Sequence, residues 1–197
     1  DKTGLDSIYT HDPAVVTNKG VILCNMGKDA RKGESGAVED YCNQNGFPIL
    51  GKITPPGTLE GGDVLWIDEK TVAVGEGYRT NSEGIRQFRE LLGDGVDEVI
   101  PVPLPHWTGP TDCLHLLSNV SPVDHDLYVV YSPLITVPFR NYLLKRGIQL
   151  IEVPEEEYST LGCNILTLAP RKVIMVDGNP KMRDSLENQG VEVTVFD

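Results

Sequence analysis

The sequence predicts an α/β fold in which one ββαβ unit is used four times, and three observations carry that prediction. Similar strings recur with unit starts at residues 12, 61, 113 and 162. A repeat of about fifty residues signals a radial or stacked array. Each unit holds a hairpin-like turn between two apolar strands: "TNKG", "IDEK", "VDHD" and "APRK", all rich in turn-forming residues. After each hairpin comes a segment of helical spacing, then a Gly or Asn break, then a third strand.

In chain order, the first unit reads "DPAVVTNKGVILCNMG", "ESGAVEDYCNQNG" and "FPILGKI". The second reads "GGDVLWIDEKTVAVGEG", "SEGIRQFRELLGDG" and "VDEVIPVPL". Within it, Ile85, Phe88, Leu91 and Leu92 share one helical face, and Ser82 stands where an N-cap belongs. The third unit reads "CLHLLSNVSPVDHDLYVVYS", "PFRNYLLKRG" and "IQLIEVP"; the fourth, "GCNILTLAPRKVIMVDG", "PKMRDSLENQG" and "VEVTVFD". The expected units are residues 12–53, 61–104, 113–154 and 162–197 of a single domain. One unit cannot bury its own apolar face, so the units must pack side by side. All-β propellers have a similar period, but their blades lack the helix. A mixed α+β domain without symmetry would leave the regular spacing to chance.

Composition narrows the function. The 197 residues carry a net charge of −12 and no basic stretch, which argues against a nucleic-acid partner. No apolar run approaches the ~18 residues of a membrane span, and no secretory signal is visible. Cys24, Cys42, Cys113 and Cys163 are widely spaced with no CxxC pair, so a zinc site or disulfide framework is not expected. Reduced thiols in a cytoplasmic protein are the default. An acidic protein with a concave site suits a cationic small molecule.

The polar residues at the unit starts are the most informative. Asp12 opens the first unit, Glu60 and Asp63 the second, His115 the third, and Cys163 with Asn164 the fourth. Taken singly, each has a plain structural reading: Asp12-Pro13 as a turn pair, Glu60 as a loop acid, His115 among leucines as a core histidine, Cys163 as a small buried hydrophobe. Asp63 is harder to dismiss, because an acid entering an apolar strand needs a partner. Taken together at repeat-equivalent places, they form a site. Two or three carboxylates around one point suit a planar guanidinium. A nearby histidine can move protons near neutral pH, and a thiolate beside an imidazolium can attack the guanidinium carbon.

"THDPAVV", "LEGGDVL", "GYRTNSEG" and "CLHLLS" together resemble the guanidine-modifying superfamily, the penteins, over nearly the whole chain. Its members include arginine deiminase, dimethylarginine dimethylaminohydrolase and the amidinotransferases. The resemblance implies a five-bladed αβ propeller of ββαβ units, four of which this sequence supplies. It implies that Asp12 holds the guanidinium nitrogens, that Glu60 and His115 form the acid/base machinery, and that Asp63 supports the same pocket. Arg79, in "YRTN", would bind the substrate's carboxylate. Arg31, in "ARKGE" beside Lys32, matches a substrate-binding arginine. By residue type alone, solvated surface charge is an even reading for Arg79 and the favoured one for Arg31.

Two departures from the family pattern shape the functional expectation. The Asp that follows the catalytic His by two residues in deiminases and amidinotransferases is Leu117 here, which moves the reading toward the dimethylarginine dimethylaminohydrolase branch. The family's nucleophilic Cys, near the C-terminus, has no match before Asp197, and neither Cys163 nor Cys113 takes its place. The expected function is hydrolysis of the guanidino group of arginine or a methylarginine through a thiouronium intermediate, without metal or organic cofactor, giving citrulline. A truncated relative that only binds guanidino ligands, and an amidinotransferase, are the rivals. A homo-oligomer is possible, since an unclosed ring would leave an open edge.

Overall fold

The computed structural model describes residues 3–112 and 114–197. Four three-stranded sheets follow one another, each with the same order and polarity. In the first, β1 (Ala14–Thr17) pairs antiparallel with β2 (Gly20–Leu23), and β3 (Ile49–Lys52) returns parallel to β2 after α1 (Glu34–Asn45). The second sheet repeats this with β4 (Val64–Asp68), β5 (Thr71–Glu76), α2 (Ser82–Leu92) and β6 (Glu98–Pro103). The third uses β7 (Val120–Asp124), β8 (Leu127–Val130), α3 (Val137–Lys145) and β9 (Gln149–Glu152). A short α4 (Glu155–Tyr158) precedes the fourth, made of β10 (Ile165–Ala169), β11 (Lys172–Val176), α5 (Pro180–Asn188) and β12 (Glu192–Phe196). The ββαβ unit expected from the sequence is therefore present four times.

Strand composition follows position in the sheet. The central strands β5 and β8 are buried almost throughout, as expected of strands flanked on both sides. The outer strand β12 alternates between more and less exposed residues, the period-2 pattern of a half-covered strand, whereas β6 buries only Val99 and Val102. Each helix between the second and third strands runs out near a glycine with positive φ: Gly46, Gly93, Gly147 and Gly190. In α2 the expected helical face is buried at Ile85, Phe88 and Leu92. Its N-cap, however, is Asn81 and not Ser82: the Asn81 side chain accepts from Gly84 N, and Ser82 is the first helical residue. Asn81 holds an extended backbone and an amide oxygen at the right reach, so it takes the cap.

The chain divides into two compact units, Asp1–Leu116 and Leu117–Asp197. The core of the first packs Ile22, Met26, Leu59, Val72 and Val74 against Phe88 of α2. The core of the second packs Val123, Leu127 and Val129 with Val173, Met175, Met182 and Leu186. Among the described residues, no helix is long and apolar enough to cross a membrane.

Candidate functional site

The stretch "TLEGGDVLWID" shows how the first unit builds a site. Glu60 is extended, and Gly61–Asp63 form a tight turn that feeds β4. A Cβ on Gly61 would lie 2.0 Å from the His11 carbonyl oxygen. One on Gly62 would lie 2.5 Å from His115 Nδ1 and 2.8 Å from Asp12 Oδ1. The two glycines therefore let three segments, around residues 12, 62 and 115, close on one another. The turn also ties Asp12 down: Gly61 N donates to the Asp12 carbonyl at 2.8 Å, and Gly62 N to Asp12 Oδ1 at 3.1 Å.

Glu60 is fully buried. Its Oε2 lies 2.8 Å from His115 Nε2, and its Oε1 accepts from Gly27 N at 2.9 Å. Arg79 Nη1 stands 3.7 Å from Glu60 Oε2. That nitrogen is buried and has no hydrogen-bond partner, while Nη2 donates to the Asp112 carbonyl at 3.3 Å. Burial alone would push the Glu60 carboxyl up. The His115 hydrogen bond and charge, the Arg79 charge and the Gly27 N–H outweigh it and hold the group below the usual carboxylate range.

Asp12 meets Arg31. Arg31 Nη1 donates to Asp12 Oδ2 at 2.6 Å, and Nε and Nη2 fork onto Glu34 at 2.9 and 2.8 Å. The Glu34 and Asp12 hydrogen bonds push the Arg31 guanidinium up despite its burial. Both arginines are buried, so their surface-charge reading is corrected: internal carboxylates, invisible in the local sequence, draw them in. Lys32 stays exposed and pairs with Asp29.

Asp63 lies fully buried behind this cluster. Its Oδ2 accepts from the Thr80 hydroxyl at 2.6 Å, and its Oδ1 from Leu116 N at 2.9 Å. Burial pushes its carboxyl up to about 6, against the pull of His115, Thr80 and Leu116. Thr80 was not expected from the sequence. It enters the site through its hydroxyl, which accepts from Glu60 N and donates to Asp63.

Six residues expected from the sequence thus meet in the first unit: Asp12, Arg31, Glu60, Asp63, Arg79 and His115. Its buried charges comprise the carboxylates Asp12, Glu34, Glu60 and Asp63 against the guanidinium groups of Arg31 and Arg79 and the His115 imidazole paired with Glu60, an excess of acid that favours a cation. Asp12, Glu60 and His115 each offer a metal-ligating atom, all within 4.8 Å of one another. A metal on His115 Nε2 would have to take the place of the hydrogen bond between that nitrogen and Glu60 Oε2.

Cys163 and Asn164 belong to the second unit. Cys163 packs in its apolar core and accepts from the Ser121 hydroxyl through its carbonyl; Asn164 is exposed. Cys24 and Cys42 are buried free thiols. Burial pushes the Cys163 thiol up to about 12 and the Cys24 thiol higher still, with the charges of Asp12, Glu60 and Asp63 adding to the effect at Cys24. All three are shielded from solvent, which leaves none of them open to a ligand. Cys113 lies outside the described residues.

Four ββαβ sheets, with an acid–imidazole pair and buried guanidinium groups at the entry to β4, agree with the resemblance read from the sequence. A family model of arginine deiminase matches residues 6–139, and the chain belongs to that family. It is 30% identical to an N(G),N(G)-dimethylarginine dimethylaminohydrolase of Streptomyces coelicolor, over 98% of this chain and 67% of the relative. A Bacillus subtilis protein called YkgA is 29% identical, over 98% of this chain and 63% of that protein. The solved structure of dimethylarginine dimethylaminohydrolase from Pseudomonas aeruginosa, a cysteine-to-serine variant complexed with citrulline, superposes with a TM-score of 0.83 at 27% identity. That match covers 100% of this chain and 71% of the other. The chain therefore spans about two thirds of the length of these relatives.

Proposed function

We propose that this site binds the guanidino group of arginine or a methylarginine and serves its hydrolysis to citrulline. The Glu60–His115 pair, 2.8 Å apart beside a buried Arg79 nitrogen that has no hydrogen-bond partner and meets Glu60 only as an ion pair at 3.7 Å, is the observation that carries the reading. An unmet buried N–H calls for an anionic acceptor, and the carboxylate of an amino acid is one. The acidic excess around Asp12 and Glu60 supplies the complement to a guanidinium.

The chemistry runs in two steps. A cysteine thiolate attacks the guanidinium carbon; His115, held by Glu60, protonates the departing ammonia or alkylamine as the C–N bond breaks. His115 then takes a proton from water, which attacks the thiouronium carbon; the C–S bond breaks to release the thiolate, and the remaining hydroxyl proton passes to solvent or the departed amine as the ureido C=O forms. Neither step calls for a metal or organic cofactor. The reading requires a thiol other than Cys24, Cys42 and Cys163, which are buried. Arg31 keeps Asp12 oriented instead of meeting the substrate itself, since its guanidinium is spent on Asp12 and Glu34.

The burial of these thiols also favours a second reading, in which these residues bind guanidino ligands without turnover. Calorimetry with arginine, dimethylarginine and citrulline tests the binding that both readings share, and release of citrulline by the whole protein separates them. Glu60→Gln should weaken arginine binding at least tenfold, about 1.4 kcal/mol, with the melting temperature little changed. Unaltered affinity in that variant would remove Glu60 from the site and overturn the proposal.

A further inference from the structure

We propose that Asp63 and Thr80 form a buried positioning pair that sets the spacing of Glu60 and His115. The inference rests on the reading above, in which that pair moves the proton, and it assigns Asp63 a place behind the ligand instead of against it.

A continuous hydrogen-bonded path links the two backbones. Glu60 N donates to Thr80 Oγ1 at 3.1 Å, and the Thr80 hydroxyl donates to Asp63 Oδ2 at 2.6 Å. Asp63 Oδ1 in turn accepts from Leu116 N, the residue after His115, at 2.9 Å. One hydroxyl can accept and donate at once, and an ionised carboxylate only accepts, so every polarity along the path is satisfied. Asp63 and Thr80 are both fully buried, whereas Asp12 and His115 keep a little exposure. The carboxylate rests against the backbone of β5, where a Cβ on Gly75 would come within 2.5 Å of Asp63 Oδ1. A bare backbone at position 75 is what allows the acid to sit there. With each end of the path fixed to main chain, the 2.8 Å approach of Glu60 Oε2 and His115 Nε2 no longer depends on flexible side chains alone.

The test compares Thr80→Val, Thr80→Ser and Asp63→Asn with the wild type by two readouts. The first is the deshielded ring N–H resonance of His115 in the Glu60 hydrogen bond, followed by NMR in nitrogen-15-labelled protein. The second is steady-state kinetics of the whole protein with arginine. Thr80→Val should shift or broaden the resonance and lower kcat by about tenfold to a hundredfold with KM little changed. Thr80→Ser should restore both. Asp63→Asn keeps an acceptor for Leu116 N but turns a donor on Thr80, and should move the resonance as Thr80→Val does. A resonance at its wild-type position in both Thr80→Val and Asp63→Asn overturns the positioning role. If the wild type neither binds nor turns over arginine, the functional reading fails, while the resonance still judges the spacer.

Discussion

At the scale of single residues, Asp63 makes the first unit sensitive to pH. Burial raises its carboxyl from 3.8 to about 6 on folding. Between those values the folded state holds a proton that the unfolded state has lost, so stability falls as pH rises through the window and levels off above it. A shift of that size corresponds to roughly 3 kcal/mol. Urea unfolding of wild type and Asp63→Asn across this range should show their difference moving against the wild type up to about pH 6, then staying level. A difference independent of pH would mean that Asp63 titrates normally. Glu60 acts in the opposite sense, since its carboxyl is held low in the fold; its contribution is present above the ordinary carboxylate range and is lost as pH falls through the depressed value. The acids and the histidine were legible in the sequence because an acid or imidazole stands out on an apolar strand. The burial of Arg31 was not, since its partners Asp12 and Glu34 mark it as internal only once the chain has folded. Thr80 was silent because a threonine beside a turn has many ordinary explanations.

At the scale of elements, the helix α2 shows where sequence periodicity is strong and where it stops. Ile85, Phe88 and Leu92 declare their buried face through spacing alone. The start is less legible, because Asn81 and Ser82 are both good cap residues and only tertiary contacts choose between them. Asn81 Oδ1 accepts from Gly84 N at 2.8 Å and from Thr58 N at 3.0 Å, and its Nδ2 donates to the Pro56 carbonyl at 2.9 Å. The cap thus also clamps the segment leading into Glu60. Asn81→Ala should cost about 1–2 kcal/mol, measured by thermal unfolding, whereas Ser82→Ala should cost much less. Equal losses would mean that the clamp contributes nothing. The hairpins were readable for a similar reason: polar turn residues interrupt apolar runs. Three of them also carry a register shift just before the turn, at Trp66/Asp68, Pro122/Asp124 and Thr167/Ala169, a detail that no residue type announces.

At the scale of the whole molecule, repetition made the fold legible, since four agreeing units restrain one another's assignment more tightly than any one of them could be read alone. Charge is the other property that belongs to the chain as a whole. A net charge of −12 creates a field that draws cations toward an acidic site and is screened over about 10 Å at 0.1 M salt. The association rate of arginine, measured by stopped flow, should therefore fall severalfold between about 0.01 and 0.5 M salt. Citrulline, which carries no net charge, should show a flat profile. Equal slopes for the two would mean that the approach of the ligand is indifferent to the overall field.

For anyone wishing to diversify this protein in the laboratory, the Gly61–Gly62 turn divides the loop sharply. The first carbon of any side chain at position 61 would run into the His11 carbonyl, and at position 62 into His115 and Asp12. A library randomised across residues 58–63 would spend most of its members at two positions where nineteen of twenty choices are obstructed before chemistry is asked anything. Variation placed instead at exposed Tyr78 and Trp107, on the segments flanking Arg79 and Asp112, leaves that turn untouched.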